Sequence, residues 1–407
     1  MSTVLHDSQM TREQRAVIEL RTERNHLVLG PPGSGKTQVL LHRAIWLKNS
    51  LGCSNDDFVV LVYTNVLSYF LKHSLEFLGI PQENVRTFDD WCGDLWDKFI
   101  KGPKPRTDPD RRGRTYINFP AIRKRVLTHL EIHHSVMPRL EFIMIDEGQD
   151  LDVSSYGILK RCSKHLTVFA DARQQIFEGG AQVEEMLQQI NATGQSASLL
   201  PAFRNSPDIA KLASYFGNQF EGLNYLAKER QKPTLYYAKD WDNEIDHLAD
   251  VLRERRLQNH KCGIIVPTNL DLHSVAGKLK DRGIEVHKAV PPRKGGTAPD
   301  FDSLVPVIAS YHSAKGLTFD CVLLPKLVEN NFRNVSPDYR KRMLLVGITR
   351  ATQWTYLSSV EGYEMDQIKI LLAAAENGDL FIKRGDTTRP EAPDNNTETE
   401  DEGISFL

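Results

Sequence analysis

The segment Gly30-Pro31-Pro32-Gly33-Ser34-Gly35-Lys36-Thr37 constrains this chain more than any other. It satisfies the pattern G-x-x-x-x-G-K-[ST] in full, a loop that belongs between a strand and a helix. The apolar run Leu27-Val28-Leu29 reads as the strand, and Val39, Leu40, Ala44 and Leu47 recur at helical spacing after Thr37. Its glycines let backbone N–H groups wrap a polyphosphate, and the helix N-terminus adds partial positive charge. Lys36 should reach the terminal phosphates, and the Thr37 hydroxyl should ligate Mg2+. The chain is thus built around a nucleotide site.

At 407 residues the chain exceeds what one core usually supports, so two domains are expected. A hydrophobic content of 40% with 26% charged residues is that of an ordinary globular protein. No segment approaches the ~20 apolar residues of a membrane span, and Met1–Gln9 lacks the shape of a signal peptide. The five cysteines are scattered and fit neither a disulfide framework nor zinc spacing, which points to a reducing, cytoplasmic setting. A net charge of -2 means that nucleic acid would need a local basic surface.

Apolar runs alternate with helical patterns throughout, the mark of an α/β fold with parallel sheets. Leu27–Gly30, Phe58–Tyr63, Phe142–Asp146 and Leu166–Ala170 read as strands of a first domain. Thr234–Ala238, Gly263–Pro267, Val305–Tyr311, Val322–Leu327 and Trp354–Ser358 read as strands of a second. Helices are expected over Glu244–Leu257, Asp271–Asp281 and Asp338–Leu345. The expected domains are residues 1–200, with a small basic insert near 92–140, and residues 201–385; an acidic tail, 386–407, has little to bury. The basic stretch Lys101–Arg114, with Arg123–Arg125 after it, fits a solvated loop or a phosphate-backbone contact equally well.

Phe142-Ile143-Met144-Ile145 ends in Asp146-Glu147, and parallel strands present their carboxyl ends to ligand. Coupled to the phosphate loop, Asp146 is expected to hold the Mg2+ and Glu147 to polarise an attacking water.

These residues sit within an ordered series. Met10-Thr11-Arg12-Glu13-Gln14, Tyr63-Thr64-Asn65, Thr87-Phe88 and Asp146-Glu147-Gly148-Gln149-Asp150 come first. Ala170-Asp171-Ala172-Arg173-Gln174-Gln175-Ile176-Phe177 and Phe203-Arg204-Asn205-Ser206 follow. Tyr311-His312-Ser313-Ala314-Lys315-Gly316-Leu317 and Val346-Gly347-Ile348-Thr349-Arg350-Ala351 complete it. The series resembles the motif set of the superfamily 1 helicases of the UvrD/PcrA/Rep group, from about residue 10 to about 360.

The resemblance implies two tandem RecA-like domains with ATP and Mg2+ in the cleft between them. It implies Gln14 as reader of adenine, Phe203 stacked on it, and Gly316 beside the nucleotide. Gln174 would contact the γ-phosphate, with Arg204 and Arg350 as arginine fingers from the second domain. Tyr63, Thr64, Asn65, Thr87, Phe177 and His312 would line a single strand, by stacking and polar contact. The Gln174–Phe177 form resembles the 3′-to-5′ branch. The expectation is a translocase or helicase on single-stranded DNA, with RNA left open. The alternative is an ATPase subunit that regulates a partner nuclease or other effector.

Departures qualify this. The intervals that carry large helical insertions in such proteins are short here. Glu178-Gly179-Gly180 replaces an aromatic-arginine stretch, Gln38 an arginine beside adenine, and Thr318 a ribose-holding glutamate. Asp89 replaces a histidine and is expected to repel the phosphates of a strand.

Overall fold

The computed structural model describes residues 10–31, 33–64, 67–68, 79–109, 113–133, 139–171, 180–192, 197–199, 205–217, 231–290, 300, 303–333 and 335–385. Among these residues two sheets organise the rest. The first holds β1 (His26–Leu29), β2 (Phe58–Val62), β3 (Val85–Thr87), β4 (Leu140–Ile145), β5 (Ser163–Ala170) and β6 (Ala197–Ser198), ordered β3-β2-β4-β5-β1-β6. The second holds β7 (Thr234–Ala238), β8 (Cys262–Val266), β9 (His287–Lys288), β10 (Val307–Ser310), β11 (Phe319–Leu324), β12 (Ala351–Val360) and β13 (Phe381–Arg384), ordered β13-β7-β12-β11-β8-β10-β9. Every pairing in both sheets is parallel. This is the α/β architecture of tandem RecA-like domains.

The continuous apolar runs have a direct structural cause. Helices cover both faces of each sheet, so successive strand residues enter opposite cores. In β4, Phe142 and Met144 join one cluster with Val39 and Leu40, while Ile143 and Ile145 join another with Tyr156 and Leu159. In β11, Val322 and Leu324 pack with Leu344 and Ile348, while Cys321 and Leu323 pack against Leu248 and Leu252. Each such side chain contributes about 1.5–3 kcal/mol on leaving water.

The expected strands and helices are present with ends shifted by a few residues. The short strands β3, β6, β9 and β13 were not expected; β13 is exposed along its whole length, so no apolar run marks it. Part of the basic insert is also more ordered than a loop. The helix Phe119–Ile132 buries Ile122, Val126 and Leu130 in the same cluster as Tyr156 and Leu159. Upstream, the backbone of Arg106 bridges Ile117 in antiparallel fashion.

Among the described residues no helix is long and apolar enough to cross a membrane. All five cysteines are free thiols.

Candidate nucleotide site and strand-facing surface

The phosphate loop joins β1 to the helix Lys36–Leu51, and Gly35 caps that helix in the left-handed region (φ 79°). Its positive φ favours glycine, and a Cβ there would lie 2.7 Å from Nε2 of Gln14 and displace that amide. Gln14 belongs to the helix Arg12–Ile18; its Oε1 accepts from the Thr11 N–H at 3.0 Å and its Nε2 donates to the Ser34 carbonyl at 3.3 Å. The expected adenine reader is thereby tied directly to the loop. Lys36 is buried, and its ammonium donates to the carbonyls of Gly30 (2.7 Å) and Pro31 (3.1 Å). It also lies 3.7 Å from Asp171 at the end of β5. The Ser34 hydroxyl is buried without a hydrogen-bond partner.

Below the loop, the Thr37 hydroxyl donates to Oδ2 of Asp146 at 2.9 Å. Asp146 also accepts from the Glu147 N–H at 3.0 Å. Glu147 adopts φ 55°, a left-handed conformation uncommon outside glycine, which turns its side chain back into the site. The Gln149 amide fixes it, donating to Glu147 Oε2 at 2.7 Å and accepting from the Asp171 N–H at 2.9 Å. Burial raises the Asp146 carboxyl, and the Glu147 charge raises it further. Burial pushes Glu147 up as well, but the Lys315 and Lys36 ammoniums, the Gln149 amide and Arg350 outweigh it and hold that carboxyl low.

Two of those cations come from the second sheet. Lys315, wholly buried in the turn after β10, pairs directly with Asp150 and lies 3.7 Å from Glu147 Oε2. Arg350, just before β12, is buried with its guanidinium donating to the Val346 carbonyl at 3.1 Å. Burial lowers its pKa, while the charges of Glu147, Asp171 and Asp146 act against that shift. The two sheets therefore converge on one carboxylate cluster. Lys315 and Asp150 had been assigned no role from sequence; each looks like one more motif residue until the tertiary contact is seen.

The donor set fits a magnesium nucleotide. A hydroxyl and a carboxylate 2.9 Å apart offer the hard oxygen ligands that Mg2+ prefers. The partnerless Ser34 hydroxyl and the Lys36 ammonium, held for now by loop carbonyls, suit phosphate oxygens.

The residues expected to face a strand are less uniform. Tyr63 is half-buried at the end of β2, its phenol raised by burial and by Asp150 and Asp89, with Tyr339 of the second domain nearby. His312 pairs through Nε2 with the Tyr339 hydroxyl at 2.9 Å. The Thr64 hydroxyl accepts from the Leu67 N–H at 3.1 Å. Thr87 is buried and caps the helix Phe88–Leu95, accepting from the Asp90 N–H at 3.1 Å. Gly316 (φ 83°) abuts Leu67, where a Cβ would lie 2.7 Å from the leucine side chain.

Asp89, expected to repel a strand, has a cationic partner in the structure. Arg123 of the insert donates to Asp89 Oδ1 at 2.9 Å through Nε and reaches Asp152 Oδ2 at 3.2 Å through Nη1. A guanidinium between two carboxylates screens the charge that sequence left bare. Pro32, Asn65, Gln174, Phe177, Phe203 and Arg204 lie outside the described residues.

Residues 10–107, which hold the phosphate loop and the first motifs expected to face a strand, match the UvrD/REP helicase N-terminal domain family. This part of the chain is similar to the UvrD-like superfamily 1 helicases. It is 35% identical over 90 residues to DNA helicase II of Escherichia coli K12, across 22% of this chain and 12% of that protein. It is 33% identical over 69 residues to DNA helicase II of Haemophilus influenzae, across 17% of this chain and 10% of that protein. The matches thus span about a tenth of those relatives' length. A solved structure described as the C-terminal domain of a possible DNA helicase from Lactobacillus plantarum aligns over 44% of this chain and 98% of its own, at 16% identity and TM-score 0.35.

Proposed function

We propose that the chain is an ATP hydrolase that translocates 3′-to-5′ along single-stranded DNA, producing ADP and phosphate. The observation that carries this reading is the convergence of Lys36, Thr37, Asp146 and Glu147 with Arg350 from the other sheet. We assign residues 1–200 to the first domain, 201–385 to the second and 386–407 to a tail.

In this mechanism Mg2+, held by Thr37 and Asp146, would supply charge neutralisation to the phosphates. Lys36 exchanges its two loop carbonyls for phosphate oxygens, a short move because the ammonium already lies within the loop. Glu147, oriented by Gln149, accepts the proton of the attacking water. Arg350, with Arg204 and Gln174 assigned by resemblance, stabilises charge developing on the transferred group. Gln14 and Phe203 hold the base. Because the cations come from both domains, turnover requires the domains to be together, and a strand bound by Tyr63, Thr64, Asn65, Thr87, Phe177 and His312 favours that state.

The test is ATP turnover by the purified chain with and without poly(dT), poly(rU) and duplex oligonucleotides. Stimulation by single-stranded DNA is expected. Lys36→Ala and Glu147→Gln should each lower stimulated turnover by about 100-fold or more. Displacement of streptavidin from 3′- or 5′-biotinylated strands reports polarity, with release from the 5′ end expected. Equal turnover with and without any nucleic acid would refute the motor reading.

A further inference from the structure

We propose that Lys315 is a positioning residue for the hydrolytic step, the link through which the strand-facing turn of the second domain holds the Asp150 and Glu147 carboxylates of the first. The inference rests on the ATPase reading above and adds a specific route between strand and base.

Lys315 is among the largest fully buried side chains of the molecule, at 1% exposure, and its ammonium pairs with an Asp150 side chain that is itself buried. The partners are 165 residues apart in sequence and follow strands of different sheets, Asp150 after β4 and Lys315 after β10. The same ammonium lies 3.7 Å from Glu147 Oε2, the oxygen that also accepts from Gln149 at 2.7 Å. Glu147 is therefore held from two sides, by an amide of its own domain and a cation of the other.

The segment that delivers Lys315 also faces the strand path. His312, three residues earlier, bonds to Tyr339 at 2.9 Å. Gly316, the next residue, packs on Leu67, whose N–H donates to Thr64 at 3.1 Å. Within five residues, His312 to Gly316, the turn touches the proposed strand contacts and the carboxylates. So short a segment, anchored by the buried Ala314 and Lys315, cannot shift at one end and stay fixed at the other. A strand seated against His312 and Thr64 thus sets where Lys315 stands, and through it where Glu147 points.

The experiment uses the full chain with Lys315→Met, which keeps length and removes charge, and Lys315→Arg, which keeps charge. ATP turnover is measured with and without saturating dT20, beside dT20 affinity by fluorescence anisotropy. Lys315→Met should lower strand-stimulated kcat about 100-fold. KM for ATP without strand and the dT20 affinity without nucleotide should stay within about threefold, the pattern of a lost positioning contact. Lys315→Arg should recover part of the kcat. An unchanged kcat in Lys315→Met, or a loss matched by lost strand affinity, overturns the inference while leaving the ATPase reading intact. No turnover by the unaltered chain overturns both. If Lys315→Met does not fold, Asp150→Asn, which keeps the shape and removes the charge that holds the ammonium, takes its place; an unchanged stimulated kcat there overturns the inference too.

Discussion

Arg43 sits one turn past Val39 in the helix that follows the phosphate loop, and has no exposed surface at all. Among the described residues it pairs with no carboxylate; its guanidinium donates to the carbonyls of Val17 (3.3 Å), Ile18 (2.8 Å) and Leu20 (2.9 Å) and to the Thr167 hydroxyl (3.0 Å). Those carbonyls end the helix that carries Gln14, so Arg43 satisfies acceptors that the helix itself cannot. Burial lowers Arg43 to about 10 without discharging it. Beside it, His165 meets Arg43 Nη2 at 3.1 Å through Nε2. Burial first, then the Arg43 charge, push His165 down to about 3 from the ordinary 6.5. A native state that refuses a proton the unfolded chain accepts loses stability as pH falls below 6.5, and the loss grows until about pH 3. Above pH 6.5 the contribution is complete. Urea unfolding at pH 7 and pH 5 should therefore differ by about 1–2 kcal/mol on account of His165. His165→Gln should reduce that difference; an unchanged pH slope would mean that the histidine is protonated in the native state. Neither Arg43 nor His165 stands out in sequence, because each looks like a polar residue on a helix or strand until the tertiary contact removes its water.

At the scale of elements, the insert helix Phe119–Ile132 shows why charge composition misled. Arg123, Lys124 and Arg125 give the segment a basic appearance, yet Ile122, Val126 and Leu130 fall four residues apart and form a buried stripe. Arg123 lies between Asp89 and Asp152 and over the Phe88 ring at 5.7 Å, binding the insert to the helix Phe88–Leu95. Asp89 is a third exposed and Arg123 about a sixth, so screening reduces the pair below its buried value. Arg123→Met should cost about 1–2 kcal/mol of unfolding free energy, and an Asp89→Asn cycle should assign roughly 1 kcal/mol of that to the pair. Strand affinity should fall in Arg123→Met and recover when Asp89→Asn is added, because the uncompensated carboxylate rather than the lost cation weakens binding. Thermal melts and anisotropy titrations check both. The strands of both sheets were largely legible because parallel pairing buries both faces and leaves continuous apolar runs such as Phe142–Ile145. The two-residue β6 and β9 and the exposed β13 carry no such run. In the site, Thr37 and Asp146 were legible from motif and strand end. The Lys315–Asp150 pair was not, since nothing local records which turn will meet which carboxylate.

Across the whole molecule, a cluster of buried charges links the ends of the two sheets. Lys315 reaches Asp150, Arg350 shares the field of Glu147, Asp171 and Asp146, and Gly316 rests on Leu67. Buried charges of opposite sign at a domain junction are costly to separate, because each then faces water or vacancy alone. A nucleotide placed between these groups adds negative charge beside Lys36 and Arg350, so it changes the balance that holds the domains. A strand contacting both Tyr63 and His312 bridges the same junction from the other side. Two ligands that favour one closed arrangement must tighten each other's binding by the same factor, typically 5–150-fold. A non-hydrolysable ATP analogue should therefore strengthen dT20 binding, and dT20 should strengthen analogue binding equally, when both affinities are measured by titration. In Lys315→Met that mutual factor should fall towards one, since the carboxylates would no longer be tied to the strand-facing turn. A factor unchanged by the substitution would mean that closure is transmitted elsewhere, through Arg350 or the Gly316–Leu67 contact.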